Sequence, residues 1–182
     1  MIAAAPLDPE RTAILMIASP GAPFHGVPDA PALDRAAALL AHARATGAHV
    51  VHVRHLPGAA PGAGEAATAL AGEPPEVAPT GWESVLDSPH PDPFAGTGLA
   101  EVLGARGVQA VVVAGPMSLA CCDAAASQSL SRHFRTVVAD DATDACEEGA
   151  VERGRRLAAR TRAGVEVLSA EAIGTLLDAP AS

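Results

Sequence analysis

Short apolar runs alternate along the chain with longer amphipathic or alanine-rich stretches. Thr12 to Ala18, His49 to Val53, Ser84 to Asp87, Val108 to Ala114, Thr136 to Ala139 and Val165 to Leu168 have the length and composition of strands. Val111 to Ala114 has no polar position, as expected of a strand covered on both faces of a parallel sheet. Pro31 to Thr46 reads as an amphipathic helix with Leu33, Ala37, Leu40 and Ala41 on its buried side. Pro31 suits the first helical position, where its missing N–H is not needed, and Gly47 ends the helix. Further helices are predicted over Gly98 to Ala105, Leu119 to Arg132, a stretch capped by Thr143 or Asp144 and reaching about Thr161, and Ala170 to Leu177. Strands that alternate with helices predict an α/β protein. The expected form is a three-layer α/β/α, Rossmann-like parallel six-stranded sheet with helices on both faces.

The 182 residues suffice for one domain spanning 1–182, with residues 1–10 as a surface tail. Residues 56–79 are rich in Pro, Gly and Ala and too long for a tight connection, so they form either a lid over the site or an idle surface loop. Ser88 to Pro93 cannot be helical, because proline removes donors and restricts the residue before it. Sites on such sheets lie at the carboxyl ends of the strands. That rule gathers Ala18 to His25, the His52/His55 region, Ser88 to Phe94 and Met117 to Cys121 around one pocket.

Composition narrows the partners. Hydrophobic residues make up 49%, but only three Phe and one Trp supply rings, so the core is mainly Ala, Val, Leu and Ile. A net charge of −9 with no basic stripe excludes a nucleic-acid partner. Arg153, Arg155, Arg156, Arg160 and Arg162 read as a solvated helix face. The run Ala13 to Ile17 is too short for a signal core or a membrane span, which predicts a soluble cytoplasmic protein with no membrane partner. Three cysteines without paired spacing fit a reducing compartment and give neither a disulfide framework nor a zinc site.

The chemistry centres on Ala110 to Asp123. A buried strand gives way at Gly115 and Pro116 to a helix with Ser118 as a plausible N-cap. Cys121 falls in the first helical turn, where unpaired backbone N–H groups and the positive helix end favour a thiolate. Such a cysteine can be a nucleophile. Cys122 reads as core and Cys146 as structural or incidental.

This stretch resembles the isochorismatase-like cysteine hydrolases, which include nicotinamidases and carbamoylsarcosine amidases. Gly115-Pro116-Met117-Ser118-Leu119-Ala120-Cys121 is similar to their nucleophile turn. His133 to Ala142 is similar to their following strand, Pro93 to Leu99 to their upstream motif, and Thr12 to Ile17 to their first strand. The resemblance covers roughly residues 10–175. It implies a triad of Asp, Lys and Cys, an oxyanion hole of the Met117 and Cys121 amides, a cis Pro116–Met117 bond and a homodimer or homotetramer. The family's Asp aligns with Ala18 and its Lys with Ser88; the sequence contains no lysine, all twelve Lys+Arg being Arg. Only Cys121 of the triad is present.

A thiol needs a base and a leaving-group acid. His25 and His90 are the candidates, each just beyond a position where the triad residue is absent. Phe24, Phe94, Ala18, Ser88 and Ser118 complete the expected substrate pocket. Glu83, Asp87, Asp92, Asp123, Asp140 and Asp141 are carboxylates near the site, the last two expected to cap a loop. No metal and no cofactor is expected: His52 and His55 would point to opposite faces of a strand, and the metal-binding Asp of some relatives is missing. The expected function is cleavage of a small-molecule amide, imide or ester through an acyl-enzyme. The alternative is an altered relative that binds a small molecule, serves as a subunit, or runs a non-hydrolytic step in its pocket.

Overall fold

All seven residues of β1 (Thr12–Ala18) are buried, so this strand has no solvent face and the sheet extends from both of its edges. β2 (His49–His55) and β4 (Ala110–Gly115) pair with it in parallel on either side. β3 (Ser84–Ser88) lies outside β2, while β5 (Arg135–Thr143) and β6 (Glu166–Leu168) lie outside β4. The result is a six-stranded parallel sheet in the order β3-β2-β1-β4-β5-β6. Its winding reverses between β1 and β4, which places the crevice used by open α/β sheets at the carboxyl ends of those strands. The computed structural model describes residues 4–18, 31–56, 75–115, 119–143 and 150–179.

Helices cover both faces. On one, α1 (Pro31–Thr46) and α5 (Ala170–Asp178) set Leu39, Leu40, Ile173 and Leu177 against Ile14, Met16, Val112 and Val137. On the other, α2 (Leu99–Ala105) and α3 (Leu119–Ser131) set Leu99, Leu103, Cys122 and Ala125 against Leu15, Ile17, Val111 and Val113. α4 (Ala150–Ala163) joins α3 through an Arg160–Asp123 ion pair at 2.6 Å. Burying each Val, Leu or Ile contributes about 1.5–3 kcal/mol, so a core with few rings is sufficient. The three-layer α/β/α architecture is the one expected. Among the described residues, no helix is long and apolar enough to cross a membrane.

Several boundaries differ from expectation. α1 buries Ala36, Leu39, Leu40 and Ala43, whereas Ala41 is exposed. β2 runs on through Arg54 to His55, and β5 runs on to Thr143. The Thr143 hydroxyl donates to the Asp140 carbonyl at 3.1 Å rather than capping α4, which begins at Ala150. Asp144 lies outside the described residues, as do Cys146 and residues 57–74 of the long segment expected to be a lid or a surface loop. The segment 1–10 is not simply a surface tail. Leu7 is 1% exposed within the core, and its N–H donates to the Leu176 carbonyl at 2.9 Å. Arg156 and Arg160 leave the expected solvated face of α4: their side chains are buried against Asp140 and Asp123, charges supplied by β5 and α3.

Gly115 ends β4 at φ +116°, a conformation that glycine adopts without a side-chain clash. A Cβ there would lie 2.5 Å from the Ile17 carbonyl oxygen and 2.9 Å from the Met16 sulfur. The β4–β5 register also shifts here, Gly115 pairing with Thr143. The missing side chain lets β4 close against β1 as the chain turns toward α3.

Candidate active site

Alternation along β2 decides which groups reach the site. Val51 and Val53 face α2 and α3, and His55 follows them two residues on. His55 Nδ1 lies 3.5 Å from Cys121 Sγ, in the first turn of α3. His52, on the opposite face, is bound to Glu83 at 2.9 Å. The two histidines therefore serve different faces of the sheet. Among the described residues, no group of three or more His, Cys, Asp and Glu is arranged to hold a metal ion.

Burial lowers the His55 pKa from its ordinary value, and the nearby charge of His90 lowers it further. A neutral imidazole beside a thiol can take its proton. The positive end of α3 faces the negative charge that then develops on sulfur. Cys122 differs sharply. It is as buried as Cys121, both 1% exposed, but burial pushes its thiol up to about 11 despite Arg160 Nη2 at 3.1 Å from its sulfur. Cys122 is a core thiol, as its place in the second face's cluster requires.

The carboxylates near the site are engaged elsewhere. Glu83 accepts from Arg44 at 2.7 and 2.8 Å, from the Thr80 amide at 2.9 Å and from His52. Asp87 accepts from Arg54 at 2.6 Å, and Asp92 from the Phe94 amide at 2.9 Å. Asp123 is held by Arg160, and Asp140 by Arg156 at 3.1 Å. Asp141 accepts from the Ala170 amide at 2.8 Å, which fixes the start of α5.

Ala18 is buried at the end of β1 and pairs in register with Arg54. Ser88 pairs in register with His55, and its hydroxyl donates to the His90 and Asp92 carbonyls at 2.7 and 3.1 Å. Ser88 therefore folds the following loop back on itself, with its hydroxyl already engaged. His90 is exposed and acts on His55 through charge. Phe94 packs away from the carboxyl edge. Its ring stacks on Phe134, just before β5, at 6.4 Å between centroids, and the Arg132 guanidinium lies 4.3 Å from its centre. An aromatic residue soon after a strand suggests a pocket wall, but this one descends into the core between elements. Phe24, His25, Met117 and Ser118 lie outside the described residues.

His55 is the group beside Cys121 that sequence reasoning did not consider as a candidate base. The expected β2 stopped at Val53; extending the alternation of Val51 and Val53 by two residues puts His55 on the face of α3.

Comparison with known proteins adds to this geometry. Residues 12–172 match the isochorismatase domain. Maleamate amidohydrolase of Pseudomonas putida is 34% identical over 148 residues, which cover 70% of each chain. Streptothricin hydrolase of Streptomyces noursei is 40% identical over 113 residues, 60% of this chain and 40% of that protein. The structure of a cysteine hydrolase from Pseudomonas syringae pv. phaseolicola superposes with a TM-score of 0.74 at 20% identity, covering 97% of this chain and 96% of that one.

Proposed function

Since this chain belongs to the isochorismatase family, we propose that it hydrolyses a small-molecule amide, imide or ester with Cys121 as nucleophile and His55 as its base. The observation that carries this reading is the 3.5 Å approach of Nδ1 to Sγ. The amidohydrolase and hydrolase activities named for the two sequence relatives agree with it.

In this mechanism His55 takes the Cys121 proton and the thiolate attacks the carbonyl carbon. Backbone amides of the nucleophile turn, Cys121 and Met117 by family resemblance, stabilise the resulting oxyanion. The intermediate collapses and expels an amine, amide or alcohol from the amide, imide or ester respectively, and this group receives the proton from His55. His55 then deprotonates a water molecule. The hydroxide attacks the thioester, releases the acid and returns the thiol. Ala18 and Ser88 supply no charge where the family has Asp and Lys, so a single imidazole performs both proton transfers. His90 tunes it from outside, and His25 is left without a proton-transfer step.

The pairing of Ala18 and Ser88 with a retained Cys121 also favours a second reading, a pocket that binds a small molecule without cleaving it. A panel of small primary amides, cyclic imides and esters separates the two. The expected result is turnover by the full chain, a transient acyl adduct on Cys121 by mass spectrometry, and loss of both in Cys121→Ala. Turnover that survives Cys121→Ala overturns the nucleophile, and saturable binding without turnover supports the second reading.

A further inference from the structure

At the amino ends of β1, β4 and β5, on the sheet edge opposite Cys121, a cavity of about 610 Å³ is lined by Leu7, Arg11, Arg132, His133, Phe134 and Arg135, among others. We propose that this cavity binds a small organic anion, an oxyanion head on a compact apolar body. Its volume is in the range of small-molecule sites. Leu7 and Phe134 supply apolar wall, and Arg11, Arg132 and Arg135 supply positive charge. In a chain of net charge −9, three arginines here face one lining carboxylate, Asp8.

The arginines are not equivalent. Arg135 is engaged by both oxygens of Glu166 at 2.7 and 2.9 Å. Among the described residues, Arg11 has only a long contact of 3.8 Å to an exposed Asp8. Arg132 is held in place by the Gln128 carbonyl at 3.0 Å, by the Gln128 side-chain oxygen and by the Phe94 ring. Among the described residues, no carboxylate pairs with it. Arg132 is thus a positioned guanidinium without a counter-charge, the arrangement that recognises an oxyanion through paired N–H groups.

The second observation is independent. His133 has φ +66°, the only positive φ at a non-glycine among the described residues. It stands just past α3, where the Phe134 amide returns to the Ser129 carbonyl and the His133 amide to the Leu130 carbonyl. That helix ending is ordinarily filled by glycine, which adopts the conformation without strain. A histidine adopts this conformation at a modest cost, and the turn sets His133 among the residues that line the cavity.

Calorimetric titration of the full chain with phenyl phosphate, phthalate and phenol tests the proposal. Saturable binding of one or both anions, and none of phenol, is expected; the preferred anion tells whether the natural head group is phosphate or carboxylate. Arg132→Gln should weaken binding ~10-fold or more, the loss of one charge-assisted contact. Arg11→Gln, at an exposed position, should weaken it without changing Tm. His133→Gly should weaken binding while raising Tm. Binding should persist after alkylation of Cys121, which separates this site from the catalytic one. No saturable anion binding, binding indifferent to Arg132→Gln, binding abolished by alkylation, or a His133→Gly variant that binds normally would each overturn it.

Discussion

His55 Nδ1 and Cys121 Sγ, 66 residues apart in sequence, meet at 3.5 Å where the end of β2 faces the start of α3. On the proposed mechanism the strand supplies the base and the helix the nucleophile. Ala18 at the end of β1 and Ser88 at the end of β3 carry no charge. Removing the imidazole should therefore silence the thiol without disturbing the sheet, because His55 is the last residue of its strand.

This is measurable without knowing the substrate. Cys121 and Cys122 are equally buried, so access does not separate them, and Cys122, pushed up to about 11, is protonated at neutral pH. Iodoacetamide at pH 7, followed by peptide mass spectrometry, should modify Cys121 faster than Cys122. His55→Gln should slow Cys121 by ~10- to 100-fold and leave Cys122 unchanged. Equal rates at the two cysteines, or a His55→Gln rate like that of the parent, would remove the basis for the pair.

The pH dependence follows from the lowered pKa of His55. Its protonated form cannot accept the thiol proton, so reactivity is present above that pKa and lost below it. Because burial and then His90 lower it from 6.5, the acid limb of the alkylation profile should lie below pH 6.5. His90→Gln removes the smaller of the two causes and should move the limb to higher pH while keeping it below 6.5. A limb that does not move would show that His90 has no influence on the base.

Glu83 sets the acid limit of the fold. Burial raises its pKa, but Arg44, the Thr80 amide and His52 together outweigh this and bring it from 4.5 to about 2. A carboxylate with a depressed folded-state pKa stabilises the protein above its unfolded pKa and loses that effect as pH falls through the folded value. The contribution is of order 3 kcal/mol at neutral pH, lost between about pH 4.5 and 2. Buried His52, whose pKa is lowered mainly by burial, adds to the acid sensitivity once pH drops below 6.5. Glu83→Gln should cost about 3 kcal/mol at pH 7, since it leaves half-buried Arg44 and buried His52 without their charged partner. It should also flatten the fall in stability below pH 4.5. Denaturant titrations across pH read both effects.

The buried strands were legible in the sequence because their hydrophobic runs leave no alternative. β1 was read to the residue, and so was α1, whose start Pro31 marks and whose end Gly47 marks. The errors cluster at the carboxyl ends of strands. β2 continues through Arg54 and His55, and β5 through Asp140 to Thr143, where hydropathy has already dropped. Site residues are polar and sit at strand ends, so a hydrophobicity criterion stops short where the chemistry begins. Arg156 and Arg160 were illegible for another reason: local sequence shows two arginines on a helix, while their acidic partners come from β5 and α3. The approach of His55 to Cys121 needed both the strand length and the placement of α3, and only the second could be read from the turn before Cys121.

Gly115 has a consequence for how variation in this protein should be interpreted. A methyl group at that position would overlap the Ile17 carbonyl, and the backbone is already in a region hostile to side chains. A saturation library scored for survival would therefore find position 115 as intolerant as position 121. The two intolerances have separate origins, one in the fit of neighbouring strands and the other in reactivity. A survival score alone would count the glycine as part of the catalytic machinery. Scoring abundance alongside activity would separate them, with Gly115 variants lost from the soluble fraction and Cys121 variants abundant but inert.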